Sequence, residues 1–582
     1  MTSTSLGAIL LLIVIATVAS AAPTAEQQKL LDVKLTIQGR PEHPTVYMTR
    51  ADIKLAQKNR EQFSWAKKAA DKIIHDADEW TNKDDHAIRK LLPPPGACFA
   101  YGFSGCPICN GKIGGWWGTS GCASFSDPGH VKCDKGHRLP DDDHPDTGNG
   151  WTDKSGKKYY FVGEYNAFVI DTLLGDALRP LCNAYALTGD MKYANKAAML
   201  LDELARLYPT CDKGSWDYPS DPPSGRFNRP WYQVARTLIS YTNFYDILMM
   251  GEALNSPSSV AGKTKRENIE QNMLLNGARY CYEQSIEHPS LTNGQADYIR
   301  GAMVVGVAMG IPEYINWTVD GPYSIRNMIE NNIDRDGQYY ETSAGYSHHS
   351  QYLYMDIAEI LKRYSDGAHP DGIKLVENPK FRALFTLPSA RLQVLGRLPT
   401  LGDDAPDLKT ETMTTLVSDT DFTDLEHLRA LSTDSQQKEQ FGQLLSMSCG
   451  GNLEKRRGEI RDSDWLLFHA DPVNPTQSTT TDDAEIVHPL TGVKLSESDL
   501  INQRGLAIVR RGTGRDARAF TLRAGPTLNH GHFDELNLNI YAGGHQLNYD
   551  LGYGLASTHT QVGWSHQTAS HTTVLVNELS QL

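Results

Sequence analysis

From about residue 165 to about residue 450, apolar side chains return at the spacing of an amphipathic helix, and beyond that point the rhythm stops. Tyr193, Ala197, Leu200, Leu201, Leu204 and Leu207 share one helical face. Val234, Leu238, Tyr241, Tyr245 and Leu248 repeat the pattern, as do Leu353, Ile357, Ile360, Leu361 and Tyr364. Thr188-Gly189-Asp190 reads as one helix ending at glycine and the next capped by aspartate, which implies antiparallel helical hairpins with short loops. After 450, Trp465-Leu-Leu-Phe468, Leu506-Ala-Ile-Val509 and Phe520-Thr-Leu522 are short strand-like runs between Gly, Asp and Pro clusters. An α-rich part followed by a β-rich part is the pattern of separate domains.

The ends of the chain carry their own expectations. Residues 1–25 hold no charged side chain, Leu6-Gly-Ala-Ile-Leu-Leu-Leu-Ile-Val-Ile-Ala is an apolar core, and Ala19-Ser20-Ala21 fits a cleavage site. A signal peptide over 1–21 and a secreted product are expected, and no later segment is apolar enough to span a bilayer. Asn316-Trp-Thr318 is then a glycosylation sequon. The chain stops at Leu582, six residues after a last strand-like run at His571-Thr-Thr-Val-Leu-Val576, so a truncated sheet is expected. A net charge of −14 without a long basic run argues against general nucleic-acid binding. It leaves an anionic substrate open, because Arg and Lys in a cleft outweigh a distant total.

Residues 92–150 form a Gly- and Pro-rich insertion that needs a staple. Cys106-Pro-Ile-Cys109 with Cys122, His130, Cys133 and His137 has the ligand types for zinc. Secretion favours disulfides, with a structural metal second, and the odd count (Cys98 is the fifth cysteine) leaves the pairing open.

The densest chemistry lies near the end, in Thr527-Leu-Asn-His530-Gly-His532-Phe-Asp534-Glu-Leu-Asn-Leu-Asn-Ile540. Leu536, Leu538 and Ile540 alternate with Asn537, Asn539 and Tyr541, the period of a half-buried strand. Ala542-Gly543-Gly544-His545 signals a turn, after which a second strand delivers Asp550 and a third His571. On strands, His530 and His532 share a face, and with a carboxylate and another imidazole they form a metal or proton-transfer site. Two further stretches stand out in the helical part: Leu291-Thr-Asn293-Gly-Gln295-Ala-Asp297-Tyr-Ile-Arg300, and Asp336-Gly-Gln-Tyr-Tyr340-Glu341-Thr-Ser-Ala-Gly345-Tyr346-Ser-His348-His349.

In order along the chain, the Leu-Thr-Gly-Asp hairpin at 187–190, Asp336-Gly with Glu341 and Tyr346, Gly402-Asp403-Asp404, and His530-x-His532 ending in Asp550-x-Gly552 resemble the heparinase II/III-like polysaccharide lyases. The resemblance implies an incomplete (α/α) toroid over 22–450, with the Cys-rich insertion inside it, and an antiparallel β-sandwich over 451–582. It implies β-elimination on a uronic-acid glycan: loss of the C5 proton and expulsion of the C4 oxygen. Asn293 is then the carboxylate neutraliser, helped by Gln295 or Arg300. Tyr346 is the catalytic acid, or base and then acid, with Arg300, His348 or His349 supplying positive charge beside it. His530 is the other candidate base, approaching from the opposite face. Glu341, His348 and His349 join the substrate-binding set, and Trp116, Trp117, Tyr339 and Tyr340 are candidates to stack on sugar rings. A structural zinc at His532, Asp550 and His571 is implied, with no organic cofactor. Gly294 departs from relatives that carry histidine after the asparagine. The alternatives are a uronyl C5-epimerase and a catalytically degenerate glycan-binding protein. Heparan, chondroitin or dermatan sulfate, alginate and other algal uronates all carry the required carboxylate.

Overall fold

The computed structural model describes residues 23–581 apart from 101–104, 115–120, 212–225, 229–231, 393, 395–398, 405–418, 450, 461–462, 473–493, 495–496, 513–515, 549 and 553–563. The signal-peptide reading, Trp116 and Trp117 lie outside the described residues.

The helical part opens with α1 (Ala25–Leu31), the hairpin of α2 (Arg50–Gln62) and α3 (Ser64–Thr81), and α4 (Asp85–Arg89). Then come α5 (Phe161–Thr172), α6 (Arg179–Thr188), α7 (Met191–Leu207), α8 (Gln233–Leu248), α9 (Lys265–Asn268) and α10 (Leu275–Glu287). They are followed by α11 (Asn293–Met309), α12 (Pro312–Asp320), α13 (Ile325–Asn332) and α14 (Ala344–Arg363). The joint at Gly189 forms as expected. Gly189 takes a left-handed φ of 71°, and the Asp190 side chain accepts the Lys192 N–H at 2.9 Å to start α7. The predicted apolar stripes of α7 and α8 are buried throughout. α11 is buried on every side from Gln295 to Met309 and lies among α8, α10, α12 and α14. Its close approach to α8 depends on Gly301, where a Cβ would sit 2.7 Å from that of Ala235.

The helices continue as α15 (Pro379–Arg391), α16 (Asp419–Leu431), α17 (Ser435–Ser448), α18 (Leu453–Glu459) and α19 (Asp464–His469). The strand expected at Trp465–Phe468 is therefore a helix. Four consecutive apolar residues carry no period, and tertiary contact decides: α19 packs on α2 and α3, where the Asn59 amide donates to the carbonyls of Leu467 and Ala470. Helix thus runs past the expected boundary at 450 as far as His469. The sequon also lies in a helix. Within α12 the Thr318 hydroxyl is buried and donates to the carbonyls of Tyr314 and Ile299. Among the described residues no helix is long and apolar enough to cross a membrane.

The irregular segment holds two small hairpins, β1 (Val131–Lys132) with β2 (Arg138–Leu139) and β3 (Trp151–Thr152) with β4 (Lys158–Tyr159). The expected disulfides do not form there: Cys106, Cys109 and Cys133 make none. The C-terminal sheet is an antiparallel meander of β5 (Asp499–Ile501), β6 (Leu506–Arg511), β7 (Arg518–Arg523), β8 (Asn537–Ala542) and β9 (His545–Gln546). Arg391 ties it to the helices, gripping Asp336 at 2.6 Å and Asp499 at 2.8 Å. The alternation in β8 is as read, but its facing is reversed. Asn537, Asn539 and Tyr541 are buried, whereas Ile540 is 39% exposed and shares the outer face with Val509 and Phe520. The run at His571–Val576 is not a strand; Val576 makes only an isolated bridge to Leu579.

Candidate active site

The site begins where α14 begins. Ser343 caps the helix, its hydroxyl accepting the Tyr346 N–H at 3.2 Å and donating to Asp404 at 2.6 Å. Asp404 also accepts the backbone N–H groups of Ala344, Gly345 and Leu401. A buried carboxylate thus closes the positive end of α14 and fixes the turn that carries Tyr346. Gly345 leaves room for it, since a Cβ there would stand 2.8 Å from an Asp404 oxygen.

Asp403, the next residue back, reaches the C-terminal loop. One carboxylate oxygen meets His530 Nδ1 at 3.0 Å and the other meets His532 Nε2 at 3.1 Å. Burial alone would raise the Asp403 pKa, but the hydrogen bonds from both imidazoles hold it well below the usual carboxylate range. An ionised Asp403 only accepts, so the His530 nitrogen facing it, Nδ1, is the donor. The two histidines are not on a strand. They lie on the loop before β8, and they converge because Asp403 holds both. His530 takes φ 57°, and its carbonyl accepts the Asp403 N–H at 2.9 Å. Gly402 permits that approach: a Cβ there would lie 2.1 Å from the His530 carbonyl oxygen. The loop is pinned again where Asn529 accepts the Thr342 N–H at 3.0 Å and donates its amide to Glu341 at 2.8 Å.

Tyr346 and His530 stack face to face, with ring centroids 3.5 Å apart and planes 7° from parallel. His530 is expected on the face opposite Tyr346; here the two rings lie against each other. The His530 side chain is 15% exposed, so solvent and ligand reach it.

Asn293 is the first residue of α11, half-buried at a helix N-terminus. Arg300 of α11 pairs with Asp356 of α14 at 2.9 Å, and Arg236 of α8 joins Asp297 (2.8 Å) to His349 Nε2 (3.0 Å). Sequence order rises together along both helices, so they run the same way and present Asn293 and Tyr346 at the same end. Burial pushes the His349 pKa down to about 4, with the charges of Arg236 and Arg300 acting in the same sense.

Several expected contacts are corrected. Gln295 is 1% exposed and donates its amide to the Ser285 carbonyl, so it faces the core. Arg300 is buried between Asp297 and Asp356, and its charge is already matched. Glu341 is buried and accepts the Asn529 amide, which positions the loop; burial raises its pKa. Tyr339 is buried and cannot stack on sugar, while Tyr340 is half-buried and donates its hydroxyl to Glu341. His349 faces Arg236, and His348 stands about 200° round α14 from Tyr346. Arg236, Asp403 and Asp404 were not among the residues assigned roles, although Gly402-Asp403-Asp404 was visible as a motif.

His532, Asp550 and His571 lie together. His532 Nδ1 lies 3.1 Å and His571 Nδ1 3.7 Å from Asp550, and all three side chains are 0% exposed. The ligand atoms lie within 4.8 Å of one another. His532 Nδ1 and both ring nitrogens of His571 are buried without a hydrogen-bond partner, a donor set that fits a cation. Asp403 on the far nitrogen of His532 is the carboxylate that orients such a ligand.

Residues 494–582 match the family model described as heparinase II/III-like, C-terminal, and the resemblance read from the sequence holds over that segment. No curated protein matches the chain. Among solved structures, the chain is similar to a heparinase III at 13% identity and TM-score 0.44, over 71% of this chain and 56% of that one. It is similar to a heparan sulfate lyase from Pedobacter heparinus at 14% identity and TM-score 0.43, over 74% and 59%. Alginate lyase A1-III from Sphingomonas species A1 is similar at 15% identity and TM-score 0.36, over 75% and 100%. The chain spans just over half the length of the heparinase III structure.

Proposed function

We propose that the protein is a secreted polysaccharide lyase that cleaves a uronate-containing glycan by β-elimination from one face of the sugar. The observation that carries this reading is the 3.5 Å stack of Tyr346 on His530 with Asp403 behind the imidazole, a proton donor and a proton acceptor side by side. His530 Nε2 takes the C5 proton while Asp403 stabilises the imidazolium that forms. The C5–H electrons become the C4=C5 double bond, the C4–O bond breaks, and the Tyr346 hydroxyl gives its proton to the departing oxygen. The Asn293 amide, at the positive end of α11, binds the uronate carboxylate and stabilises the enolate-like charge. Arg236, paired with Asp297 and meeting His349, braces α11 against α14 beside that end.

His532, Asp550 and His571 would hold a zinc ion. Bound there, it would be structural, tying the loop of His530 to the segments of Asp550 and His571. The same-face geometry speaks against the epimerase reading, which needs a donor on the far side. The mature chain from Ala22 is incubated with heparan sulfate, chondroitin sulfate and alginate while the ultraviolet absorbance of unsaturated uronate is followed. The absorbance is expected to rise with one polymer and not with Tyr346→Phe. No rise with any uronate polymer sinks the lyase reading.

A further inference from the structure

The Cys-rich segment presents two backbone turns to each other. In Cys106-Pro-Ile-Cys109 the Cys106 thiol accepts the N–H groups of Ile108 and Cys109, and the Cys106 carbonyl accepts the N–H of Asn110, which takes φ 55°. In Cys133-Asp-Lys-Gly-His137 the Cys133 sulfur accepts the His137 N–H at 3.3 Å, and Gly136 takes φ 87°. The turns are locked together by the Ile113–Cys133 bridge and by the Asp134 N–H on the Lys112 carbonyl at 2.9 Å. Four side-chain atoms then converge. Cys109 Sγ is 3.8 Å from Cys133 Sγ, and His137 Nδ1 is 3.2 Å, 3.4 Å and 3.7 Å from the sulfurs of Cys109, Cys133 and Cys106. All four lie within 4.8 Å of one another.

Those separations decide between a disulfide and a metal. A disulfide needs sulfurs at about 2.05 Å. A tetrahedral zinc, with bonds of about 2.3 Å to sulfur and 2.0 Å to nitrogen, sets its ligand atoms about 3.5–3.8 Å apart. We propose that Cys106, Cys109, Cys133 and His137 bind a zinc ion in a closed, four-ligand structural site. Two other candidates from the same stretch stand outside it. Cys122 is buried in the apolar core, and His130 sits on the Pro128 carbonyl beside Asp127. The ion closes the loop from 106 to 137 and sets the hairpin of β1 and β2, which packs on α5. With four protein ligands it leaves no open position for chemistry, and it is independent of the lyase reading.

The test uses the full chain with its metal exchanged for Co²⁺. A thiolate-to-cobalt charge-transfer band in the near ultraviolet reports sulfur ligation, which His532, Asp550 and His571 cannot give. The band is expected in the native protein, in His532→Ala and in Cys122→Ser, and is expected to weaken in Cys109→Ser, which removes one of three thiolates. Absence of the band in the native protein, its undiminished intensity in Cys109→Ser, or a Cys109–Cys133 disulfide in peptide maps made without reductant overturns the proposal. Should Cys109→Ser fail to fold, alkylation of the native protein decides. Chelation must expose Cys106, Cys109 and Cys133 to the reagent, and labelling unchanged by chelation overturns the site.

Discussion

Tyr346→Phe keeps the ring on His530 and removes only the hydroxyl. Its melting curve is expected to match the native one while turnover falls about 10²–10⁴-fold, the range for loss of a positioned proton donor. Equal turnover in the two proteins would remove Tyr346 from the chemistry. His349 gives a pH signature of its own. Its pKa is about 4 in the fold against an ordinary value near 6.5, so the neutral ring stabilises the fold fully above pH 6.5. That contribution, on the order of 3 kcal/mol, is lost as pH falls from 6.5 towards 4. His349→Gln keeps an acceptor for Arg236 and is expected to flatten the fall of Tm across that window; parallel Tm curves would count against the assignment. His530 stood out through the His-x-His spacing, whereas Tyr346 and the buried trio were singled out through the family resemblance, since an aromatic or a lone histidine is by itself an ordinary core residue. Asp403 was not assigned, because its partners lie 127 and 129 residues away and an aspartate in a loop has a ready local explanation. Gln295 and Arg300 misled for the converse reason. Being polar near Asn293 says nothing about which way α11 turns its side chains, and α11 is buried all round.

For the helices, the decisive feature is the cap on α14. Asp404→Ala strips the acceptor from the Ser343 hydroxyl and from the N–H groups of Ala344, Gly345 and Leu401 in a buried place. A loss of about 2–3 kcal/mol in unfolding free energy is expected, together with slower turnover as Tyr346 leaves its register. Denaturant melts and rates on one preparation check this, and a stability loss without a change in rate would separate cap from catalysis. Helical periodicity named the stripes of α7 and α8 correctly because six and five apolar positions over about four turns have no strand interpretation. The run at Trp465–Phe468 had no such length. β8 shows a subtler failure: alternation tells which residues share a face, not which face is covered. Here the covered face carries Asn537, Asn539, Thr521 and Arg523, set towards the buried Arg523–Asp534 pair, and the apolar residues look outward.

Across the whole molecule, the proposed chemistry belongs to neither part alone. Helices supply Tyr346 and Asn293, the C-terminal loop supplies His530, and Gly402-Asp403-Asp404 joins them. His571→Ala is therefore expected to lower Tm and remove one equivalent of zinc, with weaker turnover following from a loosened loop. His530→Ala is expected to abolish turnover with zinc content unchanged, and a zinc loss equal to that of His571→Ala would show that the roles are not separate. Asp403 spends one oxygen on His530 and the other on His532. A carboxylate shared in this way makes the buried trio and the solvent-facing imidazole thermodynamically linked. Whatever factor an ion on His532 applies to glycan affinity at His530, bound glycan must apply to the affinity for that ion. Affinity for a cation at the buried trio would then rise or fall with the supply of glycan.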